Sequence, residues 1–166
     1  ACPKIVALLN VSPAHLESFK DLENILLTKE EILSNQGYEK TVVLNKDDQN
    51  FLRWEKLSKK NHIRTISQTQ DADYYIENTN NNIITIGVPH NKSFKLTLKQ
   101  QHKYLIHNIL FSVACALEAG ASPENIINGY RDYNGIRGRF FIIDGILGST
   151  IIDDSYNANP SSMKLS

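Results

Sequence analysis

Short apolar runs alternate with helix-like segments in the first part of the chain. The apolar runs at residues 4–9, 41–44 and 62–66 have the length and composition of buried strands. Between and after them, residues 21–34 and 48–59 repeat apolar residues at helical spacing. Strands that alternate with helices predict an α/β domain with a mainly parallel sheet flanked by helices.

The pattern changes in the middle of the chain. Three short segments at residues 73–77, 83–87 and 93–98 have the character of antiparallel strands, and the last one alternates apolar and polar residues. We therefore expect a small antiparallel patch beside the parallel strands. Residues 104–119 are apolar nearly all round, which predicts a buried helix that ends at Gly120.

The last third of the chain predicts one more helix and a hairpin. Ser122 is a good helix cap, and Pro123 suits the first helical position after it. Two strand-like segments, residues 140–143 and 150–152, flank a turn that contains two glycines. This arrangement is typical of a β-hairpin.

Composition and charge exclude several classes of function. Eighteen basic and eighteen acidic residues cancel, so no overall charge favours nucleic acid or an anionic membrane. The longest apolar stretch is short and interrupted by polar residues, which argues against membrane insertion. The two cysteines, Cys2 and Cys115, form neither a disulfide framework nor a metal cluster, so we expect a cytoplasmic protein.

Lys29 and His15 are the first candidates for chemistry. Lys29 lies in the middle of the apolar stripe of its predicted helix. The ordinary interpretation is a lysine whose stem covers the core while its amine reaches water. The functional interpretation is a partly buried, neutral amine that reacts with carbon dioxide to form a metal-binding carbamate. His15 follows the first strand, where α/β sheets bind ligands, although a lone loop histidine is usually only solvated.

Three further segments have both a functional and a plain interpretation. In GIRGRF, Arg137 and Arg139 have the geometry to clamp a phosphate, or they form a solvated turn. The string DDSYNANP, residues 153–160, places acids and amides directly after an apolar strand, where they can bind sugar hydroxyls or form a plain loop. TVVLNKDD, residues 41–48, is a strand followed by acids that also suit a helix cap.

Taken in order, these segments resemble the Mur ligase family, bacterial ATP-dependent enzymes of cell-wall synthesis. NVSPAHLESF and LLTKEEIL resemble the family patterns N-[IV]-x-x-x-H-L-E-x-F and A-K-x-E-I, and TVVLNKDD resembles V-V-L-N-x-D-D. DDSYNANP resembles the signature of the branch that adds D-alanyl-D-alanine. Folylpolyglutamate synthetases, a second related group, mostly carry a string built on D-Y-A-H-x-P, with which this chain disagrees.

The resemblance implies roles for individual residues. His15 and a carbamylated Lys29 would be catalytic and would bind Mg²⁺. The set implied to bind ATP consists of Asn108, Arg139, Asp154, Tyr156, Asn157 and Asn159. Within it, Asn108 would contact adenine and Asp154 the ribose. Tyr104 and Leu105 depart from the pattern, because they stand where the family has histidine and asparagine.

The implied reaction joins D-alanyl-D-alanine to UDP-N-acetylmuramoyl-tripeptide through an acyl phosphate formed with ATP. The sequence contains no G-x-x-x-x-G-K-[ST] phosphate loop. We therefore expect residues 1–160 to be part of a central ATP-binding domain and residues 161–166 to begin a linker to a C-terminal domain. The chain alone is expected to be inactive. The alternative from another class is a non-catalytic α/β remnant or fragment.

Overall fold

The computed structural model describes residues 2–11, 21–34, 38–69, 71–99, 105–139 and 141–156. Its strands are β1 (Ile5–Leu8), β2 (Thr41–Asn45), β3 (His62–Ser67), β4 (Tyr74–Asn80), β5 (Ile83–Val88), β6 (Lys92–Thr97), β7 (Phe141–Asp144) and β8 (Thr150–Asp153). Its helices are α1 (Leu22–Glu30), α2 (Phe51–Leu57), α3 (Leu105–Glu118) and α4 (Pro123–Asp132). Within this described part, no helix is long and apolar enough to cross a membrane.

Six strands form one sheet in chain order, which confirms the predicted α/β class. β1, β2 and β3 are parallel neighbours, and β3 also pairs in parallel with β4. The predicted antiparallel strands continue the same sheet, because β4 pairs with β5 and β5 with β6 in opposite directions. The predicted hairpin is the separate two-stranded sheet of β7 and β8.

The step from β3 to β4 uses a short connection. Ile66 pairs with Tyr74 and Ser67 with Tyr75, so β4 begins level with the end of β3. The chain therefore moves sideways by one strand and needs no crossover helix. The Asp73 carboxylate secures the step by accepting hydrogen bonds from the amide and hydroxyl of Thr65, both at 2.8 Å. The rest of β4 projects beyond the carboxyl end of β3.

The sheet has a hydrophobic core on each face. α1 and α2 cover one face, where Val42 and Leu44 pack in one cluster with Trp54. α3 covers the other face, where Val43 packs in one cluster with Leu110. Because side chains alternate across a strand, three consecutive residues of β2 serve both cores. All three are 0% exposed.

Local contacts fix the helix ends, and the cap predicted at Ser122 and the end predicted at Gly120 are confirmed. Asp21 caps α1 by accepting a hydrogen bond from the Asn24 amide at 2.9 Å. Ser122 and Asn125 form a reciprocal capping box, with Pro123 in the first turn of α4. Gly120 follows α3 with φ of +92°, a left-handed conformation that glycine adopts without strain.

Two predictions about buried helix faces are wrong. Lys29 is exposed rather than central to a buried stripe, and Ile32 is 42% exposed. Glu30 is buried instead, where its carboxylate accepts a hydrogen bond from Arg53 of α2 at 2.8 Å. The α-helix ends at Glu30 and tightens into a 3-10 turn, so the spacing assumed for a longer helix does not hold. In α2 the apolar spacing predicts that Phe51, Leu52, Trp54 and Leu57 face the core, but Leu52 and Leu57 are 75% and 51% exposed.

A polar network ties β3, β4 and α3 together. The Glu118 carboxylate of α3 lies 2.6 Å from Arg64 Nε and accepts a hydrogen bond from the Tyr74 hydroxyl at 2.7 Å. Tyr74 is only 2% exposed. Burial, together with the Glu118 carboxylate, raises the pKa of Tyr74 far above its ordinary value. Glu118 therefore satisfies both a buried hydroxyl and a half-buried guanidinium.

We predict that Glu118→Ala lowers the free energy of unfolding by about 2 kcal/mol, because it leaves the Tyr74 hydroxyl and Arg64 without their acceptor. Urea unfolding measures the change as a lower midpoint. Glu55→Ala, which removes an exposed glutamate from α2, is the matched control. Equal midpoints for the two variants would contradict a stabilising network.

Candidate functional site

Lys29 is a residue of α1, and its side chain reaches the carboxyl end of β1. Its amine donates a hydrogen bond to the Asn10 carbonyl at 2.8 Å. An open cleft of about 470 Å³ separates this end of the strand from α1, lined by residues 7–10 on one side and by Thr28, Lys29 and Ile32 on the other. The amine is therefore accessible from solvent and lies at the edge of the sheet where parallel strands present ligand-binding loops.

In its unmodified form Lys29 is a hydrogen-bond donor and no metal ligand. The described residues contain no group of three or more histidine, cysteine or carboxylate side chains arranged to hold a metal ion. The loop that follows β1 contains His15, which lies outside the described residues. A metal site here would therefore need ligands from that loop, together with a modified Lys29.

The carboxyl end of β2 carries a buried asparagine and an aspartate. Asn45 is 7% exposed, and its side-chain amide donates to the Leu9 carbonyl at 3.3 Å. Its side-chain oxygen accepts a hydrogen bond from the Asp47 amide at 3.0 Å. Asn45 thus links the end of β1 to the loop that follows β2.

Asp47 joins that loop to β3 and α3. One carboxylate oxygen accepts a hydrogen bond from the Ser67 hydroxyl at 2.6 Å, and the other accepts from the Gln68 amide at 2.9 Å. His107 Nε2 lies 2.9 Å from the second oxygen. Burial works against ionisation, but the hydrogen bonds from Ser67, Gln68 and His107 hold the pKa of Asp47 below its ordinary value. Asn108, the next residue of α3, is exposed.

A second group of polar residues surrounds the hairpin of β7 and β8. Asp153, the last residue of β8, accepts a hydrogen bond from the Gly138 amide at 3.1 Å. The Tyr156 amide donates to the Gly138 carbonyl at 2.8 Å. These two bonds bring the loop before β7 against the loop after β8.

The contact of these two loops stacks an arginine on a tyrosine. The guanidinium carbon of Arg139 lies 4.2 Å from the centroid of the Tyr156 ring, and both residues are exposed. The Ser155 hydroxyl and amide, together with the Gly138 amide and Arg137, hold the pKa of Asp153 below its ordinary value. A charged Asp153 therefore anchors a surface with both a cationic and an aromatic part.

Comparison with known proteins decides the family. The model of the Mur ligase middle domain matches residues 1–116. The chain belongs to the Mur ligase family. A UDP-N-acetylmuramoyl-tripeptide–D-alanyl-D-alanine ligase of Mycobacterium tuberculosis is 31% identical over 99% of the chain, and that of Escherichia coli is 26% identical over 97%. The chain spans 33% and 36% of these two Mur ligases, about a third of their length.

Solved Mur ligases have the same fold. A structure of MurF from Acinetobacter baumannii superposes with a TM-score of 0.86 at 25% identity, covering 98% of this chain and 36% of that one. A MurF ligase of Thermotoga maritima in complex with ADP superposes with a TM-score of 0.80 at 24% identity, covering 99% and 38%. At this lower identity, the match to the Thermotoga maritima enzyme is evidence for a shared fold and for nothing more.

The contacts arrange the predicted Mur ligase residues in two groups. Lys29 and Asn108 belong to the elements at the carboxyl ends of β1 to β3, and Arg139 and Tyr156 stack beside the hairpin. Asp154 is half-buried and directly follows β8. The roles assigned to these residues stay predictions. Three predicted positions lie outside the described residues, namely His15, Asn157 and Asn159.

Sequence analysis missed the residues that hold these positions. Asp47 stands in the sequence only as one acid of the stretch TVVLNKDD, and His107 only as a polar residue within an apolar segment. Asp153 was treated as part of a string in which Asp154 was assigned the role. The spacing of Asp153 and Ser155 is a usable signal, because an aspartate commonly accepts a hydrogen bond from the amide two residues later. No pattern in the sequence around Asp47 or His107 predicts that the two side chains meet.

We predict that Gly138→Ala loosens the loop that carries Arg139. A Cβ at this position would lie 3.0 Å from the Tyr156 backbone nitrogen, and φ is +77°. The Tyr156 amide should then exchange its hydrogen about tenfold faster. Gly120→Ala is the matched control, because it has the same kind of φ, +92°, with nothing within 4 Å. Similar exchange at Tyr156 in both variants would contradict the tight contact.

Proposed function

We propose that this chain forms part of the ATP-binding central domain of a cytoplasmic ligase that adds D-alanyl-D-alanine to UDP-N-acetylmuramoyl-tripeptide. The observation that carries the proposal is Lys29, whose amine lies at the carboxyl edge of the parallel sheet, 2.8 Å from the Asn10 carbonyl. Relatives named as ligases of this specificity match 97% to 99% of the chain. The string DDSYNANP, which resembles the signature of that branch, supports the same substrate.

In the proposed reaction the tripeptide carboxylate attacks the γ-phosphorus of ATP, and ADP leaves. The amine of D-alanyl-D-alanine then attacks the acyl carbon, the phosphate leaves, and the nitrogen loses a proton to give the amide. This part of the ligase would contribute to catalysis by positioning the nucleotide and neutralising its negative charge. Arg139 and Tyr156 offer a cation and an aromatic ring, and the exposed Asn108 offers an amide for the base.

Lys29 is exposed, so the partial burial expected to favour a neutral amine is absent, and the proposed modification relies on access of carbon dioxide from solvent. The amine would first lose one proton, then add to the carbon of carbon dioxide and release a second proton, so that a carbamate anion replaces the ammonium cation. The donor contact with Asn10 would then be replaced by an oxygen able to bind a cation. Together with His15 it would hold Mg²⁺, which supplies charge neutralisation near the γ-phosphate.

Lys29→Ala in the full-length ligase is expected to abolish ligation, because alanine cannot form the carbamate. A short-chain carboxylic acid added to the solution should restore part of the activity by occupying the vacated position. The intact protein at neutral to alkaline pH should show a mass increase of one carbon dioxide. Phosphate release that depends on the muramoyl tripeptide measures the activity.

Lys59→Ala is the control for Lys29→Ala, because it removes another exposed lysine. Normal turnover of Lys29→Ala would contradict the proposed role. A full-length wild-type protein without any ATP-dependent ligation would instead favour the alternative of a non-catalytic α/β remnant.

We also predict that the chain on its own binds magnesium-ATP only weakly and does not ligate. Much of the affinity for a nucleotide triphosphate comes from the amides and lysine of a phosphate loop, and this sequence has no G-x-x-x-x-G-K-[ST]. Calorimetric titration should give a dissociation constant in the millimolar range or weaker, about −4 kcal/mol. Micromolar binding would contradict the prediction.

A further inference from the structure

A line of hydrogen bonds crosses the carboxyl ends of the parallel strands. It begins at Lys29, whose amine binds the Asn10 carbonyl. The side chain of Asn45 then links the Leu9 carbonyl to the Asp47 amide. The line therefore runs from the end of β1 to the loop after β2.

His107 extends this line onto α3. Its Nε2 lies 2.9 Å from the Asp47 carboxylate, and its Nδ1 lies 3.1 Å from Nε2 of the Gln68 side chain. A neutral imidazole has one donor and one acceptor. The Gln68 amide nitrogen only donates and the Asp47 carboxylate accepts, so the contacts fit a tautomer in which Nδ1 accepts from Gln68 and Nε2–H donates to Asp47. The histidine is held at both nitrogens, once by the loop after β2 and once by the residue after β3.

The apolar core alone does not explain this contact. α3 already docks through side chains that are at most 4% exposed, namely Leu110, Phe111, Val113 and Ala114. These residues follow His107 along the helix and hold the helix on the sheet. His107 lies in the first turn, where its two contacts tie the start of the helix to the carboxyl edge of the sheet. Asn108 is the next residue of that turn.

We propose that His107 is a positioning residue for nucleotide recognition: its bonds to Asp47 and Gln68 fix where Asn108 presents its amide. The inference rests on the proposed function, in which Asn108 contacts the adenine base. Through Asp47 and Asn45, the same bonds set the distance between Asn108 and Lys29. The base and the reacting phosphate would thus be held by one continuous polar framework.

The test uses the full-length ligase and its steady-state kinetics. His107→Ala should raise KM for ATP about tenfold, as expected when roughly one net hydrogen bond of positioning is lost. KM for D-alanyl-D-alanine and inhibition by inorganic tripolyphosphate should not change, because neither molecule contains an adenine ring. A general loss of structure would weaken all three. His62→Ala, which removes an exposed histidine from β3, is the control.

Two further variants separate positioning from direct contact. His107→Gln places an amide where the imidazole Nε2 stood, so it should keep the bond to Asp47 and recover most of the ATP affinity. Asn108→Ala should raise KM for ATP by itself, and adding His107→Ala to it should cause little further change, because His107 acts through Asn108. Additive effects of the two substitutions would overturn the proposal.

The remaining outcomes distinguish this inference from the proposed function. Normal wild-type ligation with an unchanged KM for ATP in His107→Ala overturns the positioning role alone. Equal weakening of ATP and tripolyphosphate also overturns it. A wild-type protein without ATP-dependent ligation overturns the proposed function, and this inference falls with it.

Discussion

The burial of β2 on both faces is the constraint on which the rest of the structure depends. Val42, Val43 and Leu44 have no exposed surface, and they connect the core under α1 and α2 with the core under α3. A strand enclosed in this way has no room for polar side chains along its length. Polar residues can enter only where the strand ends, and there Asn45 and Asp47 begin the hydrogen bonds that join β1, β3 and α3.

The same constraint locates the candidate chemistry. The parallel strands end at one edge of the sheet, so the residues that follow them meet there although they are distant in the sequence. Lys29 reaches this edge from α1 and His107 from α3, on opposite faces of the sheet. Side chains from both helical layers therefore meet at this edge, while β2 itself stays apolar between its ends.

Sequence reasoning could predict whatever depends on local pattern. Parallel β1, β2 and β3, the cap at Ser122 and the hairpin all follow from spacing and turn chemistry. It failed where a tertiary contact decided the outcome. Glu30 is buried because Arg53 of α2 lies beside it, and nothing within α1 indicates that partner. The Asp47–His107 contact joins residues 60 positions apart, and nothing near either residue in the sequence indicates the other.

The division into two cores also determines what a fluorescence measurement can report. Trp54 is the only tryptophan, and it is fully buried under α2 on one face of the sheet. Its emission therefore senses that layer, whereas Tyr74 lies in the other core, under α3. Since β2 belongs to both layers, tryptophan emission and the hydrogen exchange of the α3 amides should change together if the domain unfolds cooperatively. Separate transitions would show that one core can unfold while the other stays packed against β2.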